Sequence, residues 1–530
     1  MSPASRVFHA MQVSKLFWRL CLLVSLLSTG FAAYVTDIDV PESCKDISGG
    51  QELSLVANAS TVHWGYFFNG VEPNLVASSG DIIDIEMITH HAGDDYDKMI
   101  KGDPGVEDIY QWASSGQNVD MRGKSGSGDG VHVMTGPIYV CGAEPGDVLQ
   151  IDILDLKPRA NPSTGKTYGS NAAAWWGYQF RAGFLDGDPR EVITIYEVVE
   201  EDGDYYAVPD YQFRFAGGPT GYPGPTTPCA TLNGSLPEAA PGFEFDWSNP
   251  DQIFSGNEIP CVNGSQTWGR YDYPGLITSH PTGTEDSSIK GLFKVPANFH
   301  IGNIGLAPKY DSTVDSVPPL VTGGNMDNRR IGIGSTLFLP VEVAGAFLSA
   351  GDAHTAQGDS ELDGTGIETS INGKFKLTLH KKDDLPVIVE ELKYPLIETA
   401  DTWVVQGYTY ADYLEELEDP MSTIYGESSI DKAMTVAYNN TRDWMMNTLN
   451  MTEDQAITAI TVAVDFAITQ VVDGNWGVHA SIPKGAFGLP TVGATTQVKS
   501  TDTTAAASGA SAILASSVAT ALATMLMAFV

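Results

Sequence analysis

Short runs in which apolar and polar residues alternate recur along this chain. Ile82-Ile83-Asp84-Ile85-Glu86-Met87 and Val148-Leu149-Gln150-Ile151-Asp152-Ile153 are the clearest, each bounded by Gly, Pro or Asp. A period of two marks a strand with one face buried. A second set follows at Ser335–Val341 and Phe375–Leu379. The period then changes. Ile430, Met434, Ala437, Trp444, Met445 and Leu449 recur near helical spacing after Ser428-Ser429. Thr452-Glu453-Asp454-Gln455 then gives a capping-box pattern ahead of the apolar run Ala456 to Ile468. A strand ending near Ile482-Pro483 closes this part. The pattern predicts an α+β fold that is predominantly β, with sandwich- or barrel-like sheets and a C-terminal two-helix α+β part.

Divided by these patterns, residues 34–156 read as an N-terminal β domain and 157–290 as a loop-rich segment of Gly, Pro and aromatics that includes Trp175-Trp176. Residues 291–425 read as a second β region and 426–495 as the α+β part. The two ends differ in kind. Residues 1–33 carry Arg6, Lys15 and Arg19, then the apolar run Leu20 to Leu27, then Gly30-Phe31-Ala32-Ala33, the layout of a signal peptide. Residues 496–530 form a linker and an apolar tail with no charge after Asp502. Small residues followed by such a tail fit a GPI-anchor signal, with Ser508, Gly509 and Ala510 as attachment candidates. The expectation is a protein of the secretory pathway, extracellular or at the cell surface, held to the membrane through a C-terminal lipid anchor or the tail itself. Asn58, Asn233, Asn263, Asn439 and Asn450 each head a glycosylation sequon, in keeping with that route.

Charge narrows the partners. Of 530 residues, 66 are acidic and 29 basic, for a net charge of −37. Nucleic acid is therefore not an expected partner, because phosphate binding needs a basic footprint. Of the five cysteines, Cys21 falls in the signal segment, leaving Cys44, Cys141, Cys229 and Cys261 in an oxidising compartment. Three pairings are open. Cys229–Cys261 is favoured because it closes a Pro/Gly-rich segment, and Cys141, in an apolar stretch, reads as a buried free thiol.

Titratable residues gather at a few Gly-rich turns. In Thr89-His90-His91-Ala92-Gly93-Asp94-Asp95-Tyr96-Asp97, alternation along an extended chain lets one of His90 and His91 face a site while the other packs. Asp94, Asp95 and Asp97 offer oxygen ligands for Ca²⁺ or, as the simpler reading, a solvated acidic turn. Asp129-Gly130-Val131-His132 sets a carboxylate and an imidazole close together. The densest group is Gly351-Asp352-Ala353-His354, continuing through Gln357-Gly358-Asp359-Ser360-Glu361 to Gly366-Ile367-Glu368. Two apart on an extended segment, Asp352 and His354 can reach one metal ion or one water, and Glu368 can transfer the proton. Serine-hydrolase elbows, phosphate loops and His-Glu-x-x-His are missing from the sequence, which removes those enzyme classes.

Five motifs together resemble the acetamidase/formamidase family. They are Val62-His63-Trp64-Gly65-Tyr66-Phe67; His132 through Thr135-Gly136-Pro137 to Gly142-Ala143-Glu144-Pro145-Gly146-Asp147; Gly323-Gly324-Asn325-Met326-Asp327; the Gly351 to Glu368 run; and Thr469-Gln470-Val471-Val472-Asp473 with Gly477-Val478-His479. The resemblance implies hydrolysis of short aliphatic amides of the formamide or acetamide type to carboxylate and ammonia, often by a homo-oligomer, with a divalent metal, zinc first, activating water. Carried onto this chain, it makes His132, Asp352 and His354 the candidate metal ligands, with Asp129 and His90 in reserve. Glu368 becomes the general base, and Asn325, Asp327 and His63 the residues that bind or orient the amide. One departure stands out. Members of the family often carry Cys where this chain has Asp363, so a thiol nucleophile is not available here. The competing expectation is a surface-anchored Ca²⁺- or carbohydrate-binding protein on an inactive amidase scaffold.

Overall fold

The computed structural model describes residues 40–45, 49–109, 132–174, 177–186, 192–214, 227–228, 265–266 and 285–489. The signal segment, the tail, Asp129, Trp175-Trp176, Cys229, Cys261 and the sequons at Asn233 and Asn263 lie outside the described residues. Two large sheets carry the fold, and strands dominate as the alternating pattern predicts. In the first, nine strands run in the order Glu52–Leu55, Ile82–Met87, Ile371–His380, Val148–Pro158, Thr336–Pro340, Leu396–Glu398, Thr402–Tyr408, Gly477–Pro483 and Asp465–Gln470. This sheet draws on the N-terminal β stretch, the second β region and the α+β part alike.

Its alternation is the one written in the sequence. Ile83, Ile85 and Met87 are buried while Asp84 between them is exposed. Phe375 and Leu377 of the long antiparallel neighbour join the same core as Leu149, Ile151 and Ile153. Each such apolar side chain contributes about 1.5–3 kcal/mol by leaving water.

The second sheet has eleven strands and places the site. Its Leu348–His354 strand is buried throughout and pairs with His300–Gly305, Val133–Val140 and Glu368–Thr369. Val62–Trp64 adds to the far side of Val133–Val140. The five motifs are thus distant in sequence but adjacent as strands and their end turns.

The C-terminal helices begin where their caps predict. The Ser429 side chain accepts from Lys432 N to start Ile430–Leu449, and the full capping box of Thr452 and Gln455 starts Glu453–Ala463. Both helices pack on Trp403, Phe338 and Ile482 of the first sheet. The apolar run Ala456 to Ile468 is not one helix, however. It breaks at Val464, and Asp465–Gln470 is an edge strand antiparallel to Gly477–Pro483. Periodicity could not separate them, because the β-branched residues of the run suit either state until a partner strand is in place.

A second correction concerns cysteine. Cys141 is not a free thiol: it is joined to Cys44 across 97 positions, Cys44 sitting on the short turn Glu42–Lys45 beside Leu75–Ala77. Sequence could not foresee this, since the proximity is created by the pairing of Leu75–Ala77 with Val133–Val140. Among the described residues, no helix is long and apolar enough to cross a membrane.

Candidate active site

Asp352 is the hub. It lies on the buried Leu348–His354 strand with φ of 51°, so the strand is kinked there rather than regularly pleated. Non-glycine residues seldom adopt this region, and such strain gathers at functional positions. On one side, His90 Nδ1 lies 3.4 Å from Asp352 Oδ1 and His132 Nε2 lies 3.8 Å from Asp352 Oδ2. On the other side, His354 Nε2 lies 3.6 Å from Asp352 Oδ1 and 2.9 Å from Glu368 Oε1. All five side chains are at most 5 % exposed. Asp352 joins two groups whose geometry suits a metal, His90/His132/Asp352 and Asp352/His354/Glu368. A third, Asp327/His354/Glu361, adjoins them through His354.

Each ring is oriented by what holds its other nitrogen. His132 Nδ1 is 2.8 Å from Ser316 Oγ. His300 donates from Nδ1 to the Asn298 carbonyl at 2.7 Å, which leaves its Nε2 as an acceptor for His354 Nδ1 at 3.2 Å. The Gln357 carbonyl oxygen lies 2.8 Å from the same Nδ1, and Gln357 is anchored by donating to the Asp327 carbonyl at 2.9 Å. These contacts hold the His354 ring with Nε2 toward Asp352 and Glu368. Two glycines make room. A Cβ at Gly302 would stand 2.4 Å from Asp327 Oδ1 and 2.6 Å from Asp352 Oδ2, and one at Gly366 would stand 2.8 Å from His354 Nδ1.

The electrostatics follow from crowding of acids in a dry place. Burial pushes the Glu368 carboxyl up to about 8, the Asp352 charge adding to it and His354 opposing. Burial and then Asp352 push Asp327 up to about 7. Asp352 goes the other way: burial would raise it, but the imidazoles of His132, His354 and His90 outweigh that and hold it well below the usual carboxylate range. Burial lowers His354 too, yet Glu368 and Asp352 together carry it well above its ordinary value. His90 falls well below its own, through burial and then His91.

Several sequence-based candidates change place. His132, Asp352 and His354 do meet, but as two flanks of one carboxylate rather than as one triad. His90 joins the centre, while His91 pairs its Nδ1 with Asp94 Oδ2 at 2.8 Å; the two sit on the short helical turn His90–Asp94, not on the extended segment that the alternation argument assumed. The acidic turn is neither solvated nor a Ca²⁺ cradle. Asp94 and Asp95 are buried and bound by Ser170 and by Tyr211 and Lys98, and Asp97 alone is exposed. His63 stands outside the three groups, its Nε2 tied to Ser349 Oγ at 3.0 Å and its basicity lowered to about 3 by burial. Asn325 is buried on its strand with an Oδ1 that meets no donor. Asp363 accepts from Asn171, and burial raises it to about 6. Glu361 and Asp473 had no assigned role in the sequence reading, although both lie in motifs singled out there. The available signal was that each is a carboxylate in a Gly-containing motif with no Lys or Arg beside it in sequence.

The acetamidase/formamidase family model matches residues 94–193 and 290–489, more than half of the chain. An acetamidase from Mycolicibacterium smegmatis is 30% identical over 242 residues, covering 44% of this chain and 50% of that protein. A formamidase from Methylophilus methylotrophus is 28% identical over 239 residues, covering 44% and 47% respectively. The chain spans about half the length of these curated relatives. The crystal structure of an acetamidase from Yersinia enterocolitica aligns at 18% identity and a TM-score of 0.49, covering 82% of this chain and 93% of that one. On the match to the family model, the chain belongs to the acetamidase/formamidase family.

Proposed function

We propose that this protein hydrolyses short aliphatic amides of the formamide or acetamide type to carboxylate and ammonia, with a divalent cation held at Asp352. The observation that carries this reading is the convergence, beside His354 Nε2, of buried atoms that meet no hydrogen-bond partner: His90 Nδ1, Asp352 Oδ1 and Glu368 Oε2. Buried polar groups are seldom left so, and imidazole with carboxylate is the donor set that zinc takes. The donors therefore fit a divalent ion, with His90, His132, Asp352 and His354 as its holders and Glu368 beside them. When bound, such a cation supplies Lewis-acid activation of water and of the amide carbonyl.

The chain's own residues do the rest. Glu368, raised to about 8, is suited to take a proton from water and return it to the departing nitrogen near neutral pH. His354 is held in register by Gln357 and His300 through Nδ1. In the net reaction the water oxygen bonds to the carbonyl carbon and the C–N bond breaks. Both water protons end on nitrogen, leaving carboxylate and ammonium. We further propose a secretory location. The Cys44–Cys141 bridge supports it, since such bonds persist in oxidising compartments.

The test is ammonia release from formamide and acetamide by the purified protein, with chelator and with Zn²⁺ restored. Activity should fall with chelation and return with metal. Glu368→Gln should lower kcat by about 10²–10⁴-fold. No ammonia from any small amide would remove the enzyme and favour a Ca²⁺- or carbohydrate-binding scaffold.

A further inference from the structure

Tyr408 is a buried phenol that takes no part in the chemistry proposed for the Asp352 centre. It ends the strand Thr402–Tyr408 of the first sheet, opposite Gly477. Side chains alternate along that strand, and Gly407 settles which face is which: a Cβ there would stand 2.2 Å from the backbone nitrogen of Ala437, on the helix Ile430–Leu449. Gln406 and Tyr408 therefore point away from the helix, into the interior. Gln406 shows where that leads. Its Oε1 accepts from Asn328 Nδ2 at 3.4 Å and its Nε2 donates to Met326 Sδ at 3.3 Å, the two residues that flank Asp327. Tyr408 itself shares the main core with Met326 and with Ala353, which lies between Asp352 and His354.

The Tyr408 ring is fully buried and packs on Tyr394 with centroids 5.5 Å apart, yet its hydroxyl meets no hydrogen-bond partner. A buried donor left open is costly, and most are closed. Tyr310 and Tyr211 show the usual outcome, donating to Asp412 and to Asp95 at 2.6 Å each. Tyr413 is open too, but it lies in a separate cluster among Tyr310, Leu320 and Ile424. What distinguishes Tyr408 is its neighbourhood. Burial first, then Tyr394 and Asp327, push the phenol well above its ordinary range, so it keeps its proton. Asp327 Oδ1 in turn lies 3.9 Å from His354 Nε2. A carbonyl oxygen that takes on negative charge needs a donor aimed at it, and a buried hydroxyl that holds its proton and has no other partner is suited to that task.

We propose that Tyr408 is a further catalytic residue, whose hydroxyl donates to the carbonyl oxygen of the bound amide and holds the charge that gathers there as water adds. This rests on the amide-hydrolysis reading and deepens it. The water oxygen bonds to the carbonyl carbon, the C=O electron pair moves onto oxygen, and Glu368 takes the water proton. Tyr408 keeps its own proton throughout. When the pair returns, the C–N bond breaks and the nitrogen leaves with the proton from Glu368.

The experiment compares formamide hydrolysis by the full-chain protein, Tyr408→Phe and Tyr394→Phe, followed as ammonia release, with bound metal per chain and the denaturation midpoint measured on each. Tyr408→Phe should lower kcat by about 10²–10³-fold and leave KM nearly where it was. Its metal content and midpoint should match the wild type, because Phe removes an oxygen the fold does not use. Tyr394→Phe should keep the wild-type kcat. An unchanged kcat in Tyr408→Phe overturns the assignment, whatever KM does. So does an equal loss in Tyr394→Phe, which would trace the effect to packing, and so does a Tyr408→Phe protein that fails to fold, which would show that the fold itself uses the hydroxyl. No ammonia from the wild type sinks the hydrolytic reading and the assignment with it, whereas ammonia from the wild type and from Tyr408→Phe at equal rates sinks the assignment alone.

Discussion

Two places where charge is buried among the described residues show opposite results. At the C-terminal side, Lys484 Nζ reaches Glu398 Oε1 at 2.6 Å and the Thr399 carbonyl at 2.5 Å, and lies 5.2 Å from the centre of the Trp403 ring. The cation there meets an anion, a carbonyl and an aromatic face. At Asp352, four histidines and several carboxylates are equally dry, yet key atoms point into space without a partner. A buried ion pair with every valence met is architecture. A buried cluster with open valences is a place built for something that comes and goes.

The strongest way to break this contrast is at the hub. Asp352→Asn should reduce amide hydrolysis beyond the about 10²–10⁴-fold expected for loss of a proton-transfer group alone, because both flanking donor sets lose their shared carboxylate. Ammonia release together with metal content per chain checks this; normal metal content with normal turnover would remove Asp352 from the centre. On the architectural side, Lys484→Met strands Glu398 in the interior and should cost about 3–5 kcal/mol of stability while leaving kcat unchanged in the protein that remains folded. Denaturant titration and initial rates measure the two separately.

The smallest effect expected is a pH slope that belongs to the open cluster. Asp327 and Glu368 titrate near 7 and 8 in the folded protein, above their ordinary values. Each therefore binds a proton more tightly folded than unfolded, so its contribution to stability is complete below pH of about 4 and is lost as pH rises through 7 to 8. Metal-free protein should lose thermal stability over that window. Added Zn²⁺, competing with those protons for the same atoms, should flatten the slope. A chelated sample as stable at pH 8 as at pH 5 would contradict it.

Much of this was legible beforehand, for local reasons. Ile83, Ile85 and Met87 alternate with acids, so the strand and its buried face followed from spacing. Thr452 and Gln455 spelled out a helix start because a cap uses neighbours three residues apart. His132, Asp352, His354 and Glu368 stood out because imidazole and carboxylate close together beside glycine can reach one metal ion or one water.

What escaped was long-range. The Cys44–Cys141 bond spans 97 positions, the turn carrying Glu361 meets the strand before Asp473 through Ser360 and Gln470, and the strand Asp465–Gln470 exists only beside Gly477–Pro483; no local period encodes these pairings. The sequence by itself determined the strand-rich class, the helix boundaries set by caps, and the inventory of reactive side chains, because these depend on residues close along the chain. Only the tertiary structure decided that Asp352 is the shared centre, that His90 faces it and His91 does not, and that Asp327, Glu361 and Asp473 come together with no Lys or Arg partner among the described residues. Those facts are set by which strands lie side by side, and strand order is chosen by the burial of the whole core at once.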